Sequence, residues 1–183
     1  MIDIEFLKYP IGKFEKPERI SFQALKEAIK EIKAFPEYLK SSVNGLSDPQ
    51  LDTPYRSGGW SVRQLVHHCA DSHMNAYTRF KLALTEENPT IKPYEEAEWA
   101  KLPDSTLPVI YSIQILESLH LRWSFLMDNM KESDFQRTYF HPDKGRSQSL
   151  DEFTMLYIWH GNHHLAHVQH LIIREKWKTN VNE

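Results

Sequence analysis

One segment restricts this chain more than any other: a run near its end whose apolar stripe is broken by histidines. Phe153, Leu156, Tyr157, His160, His164, His167 and Leu171 recur at three- and four-residue spacing, which predicts a long amphipathic helix. Ser149 followed by Glu152 reads as the capping box that opens it. His160 and His164 stand one turn apart, so their rings leave the same face. A buried imidazole must satisfy both ring nitrogens or lose on the order of 1–3 kcal/mol per unmet group. A metal ion satisfies several at once, and the i, i+4 spacing is that of helical zinc sites. The pattern therefore predicts a buried metal centre on the last helix.

Two familiar metal-site types do not fit. Position 161 is Gly, so the glutamate base of a His-Glu-x-x-His site is absent. A di-iron carboxylate bundle needs two Glu-x-x-His pairs, and the chain offers one, Glu117 with His120. That pair remains a candidate for lining the pocket or for holding the ligands in place.

Three more helices are expected. The first carries Phe22, Leu25, Ile29, Ile32, Leu39 and Val43, with Pro36 expected to kink or end it. The second opens at a capping box of Ser61 and Gln64 and carries Val62, Leu65, Cys69, His73, Ala76, Phe80 and Ala83. The third follows Pro108 with Ile113, Leu116, His120, Trp123 and Met127 in register. Residues 91–108 lack a clean period and read as a lid or pocket wall, while 131–148 read as a polar, turn-rich connection. Strand signals are sparse, and no composition break marks a boundary. The expectation is one all-α domain over residues 1–183, a four-helix bundle with long connections.

The 22 basic and 25 acidic residues give a net charge of -3 and no basic stripe, which argues against a nucleic-acid partner. Arg174 to Lys178 read as cations complementing a helix C-terminus. No apolar run approaches the roughly 18 residues of a membrane span, and the acidic opening Met1-Ile2-Asp3 is unlike a secretory signal. A cytoplasmic protein with a small-molecule substrate is expected. The single cysteine, Cys69, reads as a small buried hydrophobe.

A third metal ligand is expected on the second helix, and periodicity leaves two choices. His73 lies on its apolar stripe, whereas His68 lies on a polar flank with Ser61, Ser72, Asn75 and Arg79. His67 shares its side with Arg63, Asp71 and Lys81 and reads as solvated. Spacing alone does not separate His68 from His73.

The block from Gly58-Gly59-Trp60-Ser61 through His67-His68-Cys69 to Asp71-Ser72-His73-Met74-Asn75 resembles the YfiT-type branch of the DinB-like superfamily. Asp52-Thr53-Pro54-Tyr55-Arg56, Tyr9-Pro10-Ile11-Gly12 and the run Trp159 to His167 share the resemblance, which covers nearly the whole chain. It implies a DinB-like four-helix bundle, a homodimer, and a metal-dependent hydrolase with one zinc or nickel ion per subunit. The ligands it implies are His68, eight residues after Trp60, with His160 and His164. His167 stands where many relatives carry Gln, which suggests contact with the ligands rather than with the ion. Ser57 stands where relatives often have Pro.

The wider superfamily includes enzymes that activate a low-molecular-weight thiol such as bacillithiol or mycothiol. A metal on three neutral histidines keeps its charge and lowers the pKa of a bound water or thiol. Water makes a hydrolase, and a thiolate makes an S-transferase acting on electrophiles. Arg56, Arg79, Arg122, Tyr94 and Trp99 are the candidate substrate-binding residues. The remaining alternative is a stress-related bundle whose metal only joins helices, with His163, His167 or His73 as a fourth ligand.

Overall fold

The computed structural model describes residues 4–177, so Met1 to Asp3 and Lys178 of the basic end lie outside the described residues. In chain order the helices are α1 (Ile4–Lys8), α2 (Phe22–Val43), α3 (Asp48–Leu51), α4 (Val62–Thr85), α5 (Glu96–Trp99), α6 (Ile110–Asp128) and α7 (Leu150–Arg174). Two strands, β1 (Thr138–His141) and β2 (Arg146–Ser149), precede α7.

The four long helices, α2, α4, α6 and α7, form the bundle. Helix α2 packs against α6 and α7, and α4 packs against the same two. Helices consecutive in the bundle, α2 with α4 and α6 with α7, therefore sit on its diagonals. Each end of the bundle has its own apolar cluster. One gathers Leu25, Ile29, Phe80, Trp123, Met127 and Phe153. The other gathers Leu39, Val43, Leu65, Cys69, Leu116 and Val168. Cys69 is fully buried, and burial pushes its thiol pKa up, as suits a small core residue. No helix among the described residues is long and apolar enough to cross a membrane.

Local signals explain most helix ends. Ser21 caps α2 by accepting from the Ala24 amide at 3.1 Å. Ser61 and Gln64 form the expected capping box on α4. Two local expectations meet a different outcome. Of the kink or end expected at Pro36, the end does not occur, and helix α2 runs through it. Proline removes the amide that would bond the carbonyl of Ile32, but that carbonyl accepts instead from Nδ1 of His120 on α6. The capping box at Ser149 also does not form, because the Glu152 carboxylate turns elsewhere.

It turns toward a hairpin that the sequence did not suggest. Strands β1 and β2 pair antiparallel, from Thr138 with Ser149 to His141 with Arg146. Gly145 closes the turn in the left-handed region, at φ 61°. The hairpin joins the 91–108 segment through the Ile91 amide, which donates to the Phe140 carbonyl at 3.1 Å. Glu152, 3% exposed, accepts from Arg146 at 2.5 Å and from Lys16 at 2.9 Å. Gln148 donates to the same carboxylate at 3.2 Å.

The Arg146 hydrogen bond leads in holding the Glu152 carboxyl down to about 2, against an ordinary 4.5. A depressed carboxylate pKa contributes stability that is fully present above about 4.5 and lost as pH falls through about 2. Glu152→Gln should cost about 1–2 kcal/mol, since Arg146 and Lys16 are half-exposed and partly screened. Thermal melts at neutral pH and near pH 2.5 check this, the difference between variant and wild type shrinking on acidification.

Candidate metal centre

Helices α4 and α7 lie side by side where the two apolar clusters meet, and their histidines face one another. One ring nitrogen each from His68, His160 and His164 lies within 4.8 Å of the others. Nε2 of His160 and Nε2 of His164 are 3.2 Å apart. The His68 ring sits 4.9 Å from that of His164, centroid to centroid, and Trp60 covers its other side at 4.5 Å. Nδ1 of His164 is buried with no hydrogen-bond partner.

All three imidazoles are neutral at ordinary pH. Burial pushes His68 down to about 4, from an ordinary 6.5. Burial, then the neighbouring imidazoles, pushes His160 and His164 well below 6.5. Three neutral nitrogen donors facing one point fit a first-row divalent ion such as zinc or nickel.

Behind the cluster lies a second line of histidines. Nε2 of His73 meets Nδ1 of His160 at 3.1 Å, and Nδ1 of His73 meets Nε2 of His120 at 2.7 Å. His73 is thus a neighbour of His160 and not a member of the three-nitrogen cluster. His163 and His167 pair with each other, Nε2 to Nε2 at 3.1 Å, and the His167 ring packs at a tilt against Tyr55. The three candidates for a fourth ligand all have other partners.

The other sequence candidates scatter. Glu117 ion-pairs with Lys40 at 2.9 Å on the surface, away from the imidazoles. His120 is buried within the second line. Arg122 lies over Tyr77 beside exposed Leu121 and Phe125, remote from the cluster. Arg56 lies over Tyr55, on the His167 side. His67 is buried, not solvated: Ser112 Oγ at 2.7 Å and the Leu107 carbonyl at 2.9 Å hold its ring. Its neighbour Arg63 is buried as well, bonded to Asp52 at 2.6 Å and Asp48 at 2.7 Å.

Arg79 and Tyr94 do reach the site. With Glu96, His141, Lys144 and His160 they line a cavity of about 180 Å³. Tyr94 Oη and His141 Nδ1 are buried there without partners, and Trp99 packs against the Tyr94 ring at a tilt, 4.5 Å between centroids. Desolvation raises the Glu96 carboxyl pKa and lowers that of Lys144. A larger cleft of about 620 Å³ beside Arg63 includes none of the imidazoles. Sequence reasoning missed Glu96, His141 and Lys144. The one available signal was the His141 to Gly145 turn, which reads as polar punctuation until it is paired as a hairpin.

Fold and site together define a helical bundle with a three-histidine cluster at the wall of a small cavity. The chain belongs to the DinB superfamily, whose model matches residues 31–168, and to its YfiT-type branch. It is similar to YfiT from Bacillus subtilis, a solved structure described as a probable metal-dependent hydrolase with an unusual four-helix bundle topology. The TM-score is 0.93 at 45% identity, covering 94% of this chain and 99% of that one. A protein from Oceanobacillus iheyensis, provisionally named a metal-dependent hydrolase, is 51% identical over 170 residues, 93% of this chain and 98% of its own. One from Bacillus cereus, similarly named, is 52% identical over 171 residues, with the same coverage.

Gly161 has a spatial reason as well as a chemical one. A Cβ there would stand 2.9 Å from Cδ2 of Phe35, whose ring packs on His73 and His120. Gly161→Ala gains about 1 kcal/mol in helix propensity but overpacks the core at a cost of about 1–3 kcal/mol. The expected outcome is a lower thermal midpoint, which a calorimetric melt would read.

Proposed function

We propose that the chain is a metal-dependent hydrolase of a small molecule, with His68, His160 and His164 holding one zinc or nickel ion. The observation that carries this is the convergence of three neutral imidazole nitrogens, within 4.8 Å of one another, beside a cavity that His160 helps to line. When bound by three neutral ligands, such an ion supplies an open position and the charge to acidify water or polarise a carbonyl. The shared naming of the relatives supports the same reading.

The chain's own residues divide the remaining work. Arg79 forms no ion pair with the described residues, so its guanidinium is available to an anionic substrate group. Tyr94 Oη and His141 Nδ1 offer further hydrogen bonds in the same cavity. Glu96, its carboxyl pKa raised by desolvation, is suited to take up a proton during turnover. Nothing lining the cavity singles out a thiol co-substrate.

The purified protein should contain one equivalent of divalent metal by elemental analysis, lost in His68→Ala, His160→Ala and His164→Ala. Hydrolysis of a panel of small esters and amides should stop with chelator and return with added zinc or nickel. Full metal retention in all three variants, or hydrolysis indifferent to chelator, would overturn the reading.

The cavity residues generate a separate expectation. Arg79→Ala and Tyr94→Ala should each lower kcat/KM by roughly tenfold, about the worth of one lost charged or buried hydrogen bond. Metal content should not change in either.

A further inference from the structure

The second line of histidines ends on a backbone carbonyl, and that end gives it a direction. Ile32 lies four residues before Pro36 in α2, so no amide at position 36 can bond its carbonyl. Nδ1 of His120 occupies the vacated side. A carbonyl accepts and never donates, so Nδ1 of His120 must carry the proton. In a neutral ring Nε2 is then a bare lone pair. It faces Nδ1 of His73 at 2.7 Å, which must therefore donate. Nε2 of His73 is in turn an acceptor, and it faces Nδ1 of His160 at 3.1 Å. His160 must donate from Nδ1, which leaves its Nε2 unprotonated and directed at His164.

We infer that His120 and His73 are positioning residues that lock His160 in the tautomer with Nε2 free for metal, the lock being anchored on the carbonyl that Pro36 leaves open. The geometry stands without any ion; only its use rests on the metal-centre reading above. A metal-bound histidine ordinarily donates its other N–H to a carboxylate or carbonyl, which fixes ring and tautomer together. Here that outer partner is an imidazole, which could point its proton either way. Two further links are needed to remove the ambiguity, and the last supplies it. Phe35 packs on both His73 and His120, and Trp123 packs on both from the side. These apolar rings disfavour an imidazolium, the one state that would reverse the line and place a proton on Nε2 of His160. Nor is the line a proton conduit, since a carbonyl at its end has no proton to give or pass on.

The test is a long-range proton–nitrogen correlation spectrum of histidine-labelled, metal-free protein at neutral pH. The expected result is the Nδ1–H tautomer at His120, His73 and His160. An Nε2–H tautomer at His160 would overturn the inference. His120→Leu should let His160 populate both tautomers and weaken zinc binding by about 10–100-fold, the usual cost of losing an outer partner. His120→Gln offers an amide donor to Ile32 and a carbonyl acceptor to His73, so it should restore both tautomer and affinity. Equal zinc affinity in the Leu and Gln variants would also overturn it. Should the Leu variant fail to fold, the wild-type and Gln spectra still decide. A locked tautomer in a protein that binds no zinc would instead refute the metal-centre reading and leave the lock standing.

Discussion

A carbonyl deprived of its helical partner organises the centre of this bundle. Proline at position 36 opens the Ile32 carbonyl, and the line that starts there passes from α2 to α6, α4 and α7 in the order in which those helices pack. It meets each helix of the bundle once. Phe35 against Gly161 closes the remaining side, between α2 and α7. This polar layer separates the two apolar clusters, and it is tolerable only because each link satisfies a nitrogen that would otherwise be buried and unpaired. Helix register is thereby restricted as well, since sliding any helix by one residue would break a link.

The division of labour between helices and connections follows from the same layer. The three clustered imidazole nitrogens come from α4 and α7. The cavity beside them is walled by the 91–108 segment and the β1–β2 hairpin. Glu152 fastens that hairpin to the first turn of α7, eight residues before His160, so the mobile class of structure is tied to the rigid one close to the site.

Much of this was legible from one-dimensional pattern. The four stripes and the capping box of α4 follow from local rules, and so does the clustering of His160 with His164. The choice between His68 and His73 was not legible, because both project toward the bundle interior and only the order of the helices decides which meets α7 at the cluster. Resemblance pointed to His68, and the geometry groups His68 with the α7 pair. Glu117 misled because the Glu-x-x-His spacing does not say which of two neighbouring side chains lies inside the face that turns to the core. His120 turned inward while Glu117 reached Lys40 outside. Pro36 and Glu152 misled for a common reason. A local rule assigned each a role within its own helix, and a partner distant in sequence took it over.

Such distant partners set an order of events during synthesis. The three links of the histidine line join residues 88, 47 and 87 positions apart. Helices α2 with α4 and α6 with α7 occupy diagonals, and α6 intervenes in sequence between α4 and α7, so no helical hairpin brings the three clustered imidazoles together. Helices α2, α4 and α6 can bring His120 to Ile32 and His73 before α7 is made, while His68 still lacks its two partners on α7. Only when α7 leaves the ribosome can the lock engage and the imidazoles converge. On the metal-centre reading proposed above, metal capture is a terminal step of maturation, and an ion held there would record that the entire bundle has been assembled.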